Sequence, residues 1–330
     1  MNELLIHLAE VLSEEDAGGH GNRWAVFNDD VDQFFDQWIR IALEESSPVA
    51  YSHVNEEEIE KLIEAGEPRG MTLLYPGESA AGRRFGLMSL IESAYDESTG
   101  EPYNQFCSGY PFFGEGREIE AEVESVSLYP NRLEARIELS QIGGGLICAF
   151  DPMFWQSRAL YRENQVYQFI VASMAYVIQP APKTEHVIDD EMEIRKFRAR
   201  SAWAEKYGVW SQADEAASLA EWEPQSPKEL EPIRFDMSRL SMLLPIENGQ
   251  PGDAQFQGEV VHVEPNAAHF LDVSFCRVDV IVMRDEEDFT LPIYVAEPLF
   301  EDGWRPAVGE YVQGAVWIQA YTIGQRTVLH

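Results

Sequence analysis

From Arg132 to Leu139 the chain alternates strictly, with Leu133, Ala135, Ile137 and Leu139 apolar and Arg132, Glu134, Arg136 and Glu138 charged. A period of two predicts a β-strand with one face in the core and one in water. The turn Gly143-Gly144-Gly145 and a second strand, Leu146–Phe150, follow it. The neighbouring text occurs twice. Ile119-Glu120-Ala121-Glu122-Val123-Glu124-Ser125-Val126 reads like Phe256-Gln257-Gly258-Glu259-Val260-Val261-His262-Val263, and Asp151-Pro152-Met153-Phe154 answers Glu297-Pro298-Leu299-Phe300. Each copy closes on a long apolar strand, ending Ala175-Tyr176-Val177-Ile178 or Ala320-Tyr321-Thr322-Ile323. The order is conserved between copies, so two related β-rich modules are expected. Val278–Met283 and Leu291–Val295 around Arg284–Asp288 supply the middle strands of the second. About four to five strands per copy fits a small antiparallel barrel, OB-like first and a small sandwich second. The proline of each Asp/Glu-Pro element ends a strand, because it cannot donate to the ladder, and the following Met153-Phe154 or Leu299-Phe300 is expected to plug the barrel end.

A period near 3.6 dominates elsewhere. Leu4, Leu5, Leu8, Val11 and Leu12 share a helical face over 3–12. Val31, Phe34, Phe35, Trp38, Ile39 and Ala42 predict a helix over about 29–45, with Asn28 as its cap. Asn55 and Glu58 open a third helix that Gly66 and Pro68 stop. Met71–Tyr75 reads as a strand, and 85–95 with 103–107 as a hairpin about Ser98-Thr99-Gly100. Helical patterns over 189–206 and 212–222 precede Pro224, Pro227, Pro232 and Pro245. The expected class is α+β. An acidic helical region, 1–70, leads through a β-hairpin segment, 71–118, into one barrel, 119–182. A helical, Pro-rich connector, 183–255, joins it to the second barrel, 256–330.

Charge adds to this picture. The formal net charge is −34, of which 1–118 carries −17, 119–182 carries −3, 183–255 carries −6 and 256–330 carries −8. The acids are spread through folded-looking sequence rather than gathered in a tail. Such a field repels phosphate backbones and attracts basic surfaces over about 8–10 Å in physiological salt. The two barrels hold many aromatics but no basic groove, so direct nucleic-acid binding is not expected. No apolar run approaches the roughly 18–20 residues of a membrane span. The widely spaced Cys107, Cys148 and Cys276 read as free thiols of a reducing compartment, so the cytoplasm is the expected location.

Candidate chemistry is sparse. Arg83 and Arg84 among Gly77, Gly82 and Gly86 form a weak anion-site candidate without a P-loop's Lys-Ser/Thr pair. The seven histidines show no ligand spacing; His262, His269 and Cys276 fall on adjacent predicted strands, and ordinary histidines are the expectation. No nucleophile elbow or cysteine–histidine signature occurs. No catalytic residue, cofactor or metal is therefore nominated. The expected role is a non-catalytic acidic protein that docks on, and neutralises, a basic protein partner, of toxin-immunity or inhibitor type. Its nominated face is Asp29, Asp30, Asp32 and Asp36 beside Trp38, with Glu56, Glu57, Glu58 and Glu60. The alternatives are a nucleic-acid mimic, and an enzyme or small-ligand binder with a cleft between the barrels.

Overall fold

The computed structural model describes residues 4–27, 31–49, 55–76, 85–95, 99–141, 145–182, 185–208, 210–246, 249–284, 287–300 and 303–325. The chain is α+β and divides into two compact units, Met1–Pro180 with Ser241–His330, and Ala181–Leu240.

The apolar face expected over 3–12 does not become a helix. Leu5–His7 is a single 3-10 turn, and β1 (Glu10–Val11) follows it. A helix this short nucleates poorly. Tertiary partners take its backbone instead: Leu4 bridges Arg162, Leu5 N–H donates to Tyr161 O, and Leu12 N–H donates to Leu128 O. Next come α1 (Glu14–Ala17), α2 (Val31–Glu45), β2 (Ser47–Pro48) and α3 (Glu56–Glu64). Asn55 caps α3 by accepting from Glu58 N–H at 3.2 Å, as its spacing predicted. β3 (Arg69–Tyr75), β4 (Phe85–Tyr95) and β5 (Pro102–Phe113) then complete a four-stranded antiparallel sheet in the order β2-β3-β4-β5.

The first repeat is β6 (Arg117–Leu128), β7 (Ala135–Gln141), β8 (Leu146–Asp151), α4 (Phe154–Ser157) and β9 (Val166–Pro180). Ala135, Ile137 and Leu139 are fully buried, as the alternation requires. Glu134, placed by the same alternation on the wet face, is 2% exposed instead. It precedes β7, in a turn where Asn131 Oδ1 accepts from the N–H groups of Leu133 and Glu134, so the pleat does not govern where it points.

The Ala181–Leu240 unit contains more than helices. β10 (Glu185–Ile188), α5 (Glu191–Tyr207) and α6 (Glu215–Glu221) are followed by β11 (Ile233–Asp236), which pairs antiparallel with β10. Asp190 caps α5, accepting from Glu193 N–H at 3.0 Å. α5 packs on α6. Phe197 lies 5.4 Å from Phe235, and Arg200 covers Trp210 at 4.4 Å.

The second repeat returns to the first unit. β12 (Met242–Pro245) edges β13 (Asp253–Phe270), and β14 (Val273–Met283), β15 (Phe289–Ala296) and β16 (Tyr311–Gln325) complete it. Within each repeat the three leading strands form an antiparallel meander, and the first of them also pairs with the last. β9 and β16 pair antiparallel with each other from Val312↔Pro180 to Gln325↔Tyr167. β8 runs parallel to β16 at Phe150↔Gln319, and β15 runs parallel to β9 at Ile293↔Ser173 and Tyr294↔Met174. The path β6-β7-β8-β16-β9 therefore returns to β6, and β13-β14-β15-β9-β16 returns to β13.

Two self-contained barrels were expected, whereas each circuit takes one strand from the other repeat. The reason lies in β9 and β16. Val171, Ala172, Ser173, Met174 and Ala175 are consecutive and at most 1% exposed, as are Val316, Trp317, Ile318, Gln319 and Ala320. A run with no wet face must be covered on both sides, which a shared central position provides. Two of the buried polar side chains there are satisfied: Gln319 donates to Pro111 O at 2.6 Å and accepts from Phe113 N–H at 3.3 Å, and Ser173 donates to Pro292 O at 2.9 Å. The backbones also come close, so a Cβ at Gly314 would sit 2.0 Å from Val177 O. One apolar core runs through both repeats, joining Ile137, Ala149 and Phe169 to Val260, Val278, Ile293 and Val316. Phe113 of the four-stranded sheet stacks on Tyr294 of β15 at 4.5 Å, within a second apolar cluster.

Candidate functional site

The nominated docking residues are only partly within view. Asp29, Asp30, Arg83 and Arg84 lie outside the described residues, and Asp32 and Asp36 fall on α2 where only the backbone is described. Trp38 is half-buried and packs 6.4 Å from Tyr75, so it belongs to a core edge. Glu56, Glu57, Glu58 and Glu60 lie on α3. Lys61 pairs with Glu57 and Glu58 at 3.0 Å, and Arg69 pairs with Glu60 at 2.7 Å. Half-exposed pairs such as these contribute little stability, but they do neutralise the acids locally.

Two arrangements that sequence reasoning did not nominate stand out. The first is a buried charge relay. His20, Arg23 and Glu134 are 9%, 0% and 2% exposed, and Glu134 comes from a part of the chain distant from the other two. Arg23 Nη1 donates to His20 Nδ1 at 2.8 Å, and His20 Nε2 meets Glu134 Oε1 at 2.8 Å. Because a guanidinium only donates, Nδ1 must accept, so the proton of a neutral imidazole sits on Nε2 and faces the carboxylate. Burial holds His20 below its ordinary value, with Arg23 adding to the effect against the pull of Glu134. Burial also opposes ionisation of Glu134, but His20, Ser108 and Asn131 outweigh it and keep its carboxyl below the usual range. Ser108 donates to Oε1 at 2.7 Å and Asn131 to Oε2 at 2.6 Å. Arg23 also donates to Gln250 Oε1 at 2.8 Å and Pro251 O at 3.2 Å, and it covers Trp317 at 4.2 Å. With each polar atom of His20 and Glu134 engaged, the cluster braces the N-terminal segment against both repeats. It offers no free acid or base.

The repeated Asp/Glu-Pro element also differs from its plain structural reading. Phe154 and Phe300 do enter the core. Asp151, however, is fully buried and accepts from Tyr161 OH at 2.6 Å, Ser157 OH at 2.7 Å and Met153 N–H at 2.9 Å. Its counterpart Glu297 instead pairs with Arg305 at the surface. Burial pushes the Asp151 carboxyl up to about 6, against those hydrogen bonds. A carboxyl-carbon NMR titration is expected to show Asp151 ionising near pH 6. The unfolded chain loses this proton near 3.8 and the folded chain near 6. The group's contribution is thus most favourable below about pH 4 and falls by about 3 kcal/mol as pH rises to 6. A midpoint at or below 4 would contradict this burial.

The second arrangement is a groove of about 390 Å³ over β6. Residues 122–127 of β6 form its floor, with Leu5, Leu8 and Glu10 on one wall and Arg136, Glu138, Glu163 and Asn164 on the others. Five carboxylates, Glu10, Glu122, Glu124, Glu138 and Glu163, thus line it with one cation. That cation is already engaged, since Arg136 pairs with Glu138 at 3.0 Å. Leu8 on the wall is 55% exposed, and Val11 beyond it 46%. The sequence signal was present: Glu118, Glu120, Glu122 and Glu124 occupy every second position of a predicted strand.

Among the described residues no group of His, Cys, Asp and Glu has metal-holding geometry, and no helix is long and apolar enough to cross a membrane. The three cysteines are free thiols, with Cys276 buried and Cys107 and Cys148 half-buried. Burial raises the pKa of each, which makes it a poor nucleophile. Comparison with family models, with curated proteins and with solved structures found no match.

Proposed function

We propose that the chain is a non-catalytic binding protein that docks on a basic protein partner and neutralises it, in the manner of toxin-immunity or inhibitor proteins. The observation that carries this reading is the β6 groove, where five carboxylates face a single, already paired arginine. A concave acidic surface steers a basic partner and raises its association rate more than it raises raw affinity. The exposed Leu8 and Val11 beside it supply apolar area that gains from burial once contact is made. Each strand circuit is read here as an OB-like barrel whose fifth strand comes from the other repeat, with the groove on its first strand. The saturated hydrogen bonding of His20 and Glu134 weighs against an enzyme centred on that cluster.

The experiment is capture of the partner on immobilised protein, at low and high salt, with wild type and a Glu122→Lys/Glu124→Lys variant of matched melting temperature. Reversal is expected to abolish capture at physiological salt, and excess duplex DNA is expected to leave the wild-type complex intact. Displacement by DNA would favour the nucleic-acid mimic. Undiminished capture by the variant would remove the groove from the account.

A further inference from the structure

The floor of the β6 groove is an interrupted sheet edge. β7 pairs with β6 along 121–128 on one side, and β9 pairs along 117–122 on the other. β1 joins that second side only at Ser127 and Leu128. Between β9 and β1, no strand of the described residues pairs with Val123–Val126, a gap of about 13 Å at ~3.3 Å per residue. Residues 6–9 would cover the gap if β1 extended upstream as a strand, but the 3-10 turn Leu5–His7 packs on β6 without pairing with it, and the groove lies there.

We propose that this gap is a strand-addition slot for a short extended segment of the partner in which lysine or arginine alternates with aliphatic residues. The inference rests on the acidic-docking reading above and specifies its partner chemistry. An added strand would meet about two residues' worth of outward N–H and C=O groups on Val123–Val126. Its side chains alternate between faces. One set lies beside Glu122 and Glu124, where cations complement carboxylates. The other set lies toward the exposed Leu8, where aliphatic groups replace water. Main-chain bonds would supply affinity and the alternating pattern would supply specificity.

The test uses the full chain and three synthetic peptides: alternating Lys-Val, alternating Glu-Val, and Lys-Val N-methylated at alternate residues. The N-methylated peptide keeps charge and apolar groups but loses one row of backbone donors. The Lys-Val peptide is expected to slow amide exchange within 123–126 and to bind about tenfold or more tighter than the N-methylated one. The Glu-Val peptide should not bind, and Glu122→Lys/Glu124→Lys should remove Lys-Val binding. Equal binding of the methylated and unmethylated peptides would overturn strand addition and leave acidic docking standing. Absence of Lys-Val binding, or protection confined to other strands, would overturn the slot itself, whatever the fate of partner capture.

Discussion

Replacing Arg23 with leucine is expected to cost about 3–5 kcal/mol, the range found when one partner of a buried charge pair is removed. The loss is large against the 5–15 kcal/mol that keeps a typical domain folded. Its origin is the carboxylate left behind. Glu134 would stay buried with hydrogen bonds from His20, Ser108 and Asn131 but without the nearby guanidinium that polarises the imidazole towards it. The acceptors Gln250 Oε1 and Pro251 O would lose their donor, and Trp317 its cation. Glu134→Gln should cost a similar amount for the mirror reason. The double variant should be less damaging than the two losses added, by at least 1–2 kcal/mol, because neither charge is then stranded. Urea unfolding of the four proteins measures this cycle. Strict additivity, or single losses under about 1 kcal/mol, would mean that the relay is not one unit.

Cutting the chain between the repeats is expected to have a still more complete effect. A fragment of residues 1–180 lacks β16, the strand that closes the first circuit against both β8 and β9. It would expose the fully buried faces of Ala172, Met174 and Ala175, and Phe150 would lose Trp317, its neighbour at 5.2 Å. Each fully buried large side chain is worth about 1.5–3 kcal/mol, so uncovering Met174 and Phe150 together with the unpaired edges of β8 and β9 removes a large share of the roughly 5–15 kcal/mol that keeps a typical domain folded. Circular dichroism of 1–180 alone should show no cooperative melt, and neither should 241–330 alone. Mixing the two should restore one. Independent melting of either fragment would show that its repeat closes without the other.

How much of this was readable in advance depends on range. The strands of both repeats, the hairpin and the helices α2, α3, α5 and α6 follow from local periodicity, because side-chain spacing and caps are decided within a few residues. Strand pairing between repeats is decided by contacts about 140 residues apart, and no local pattern records it. The nearest hint was the mostly apolar character of the middles of β9 and β16, which suits strands covered on both faces. The helical spacing of 3–12 misled for a related reason: a segment that short follows its tertiary partners, not its own period. Glu134 was misplaced because the alternation was extended one turn too far. The relay it forms with His20 and Arg23 had no sequence signal at all. The groove, by contrast, was visible as carboxylates at every second position of β6. The heavier N-terminal charge drew the nomination away to residues such as Glu57 and Glu60, which turn out to be paired.

The most direct test of the docking claim is the association rate of the captured partner as a function of ionic strength. For wild type the rate should fall steeply as salt screens the groove over about 8 Å. The Glu122→Lys/Glu124→Lys variant should give a nearly flat dependence, and reversal of Glu56, Glu57 and Glu60 should leave the wild-type slope almost unchanged. A groove variant that keeps the wild-type slope, or an α3 variant that alone flattens it, would contradict the account.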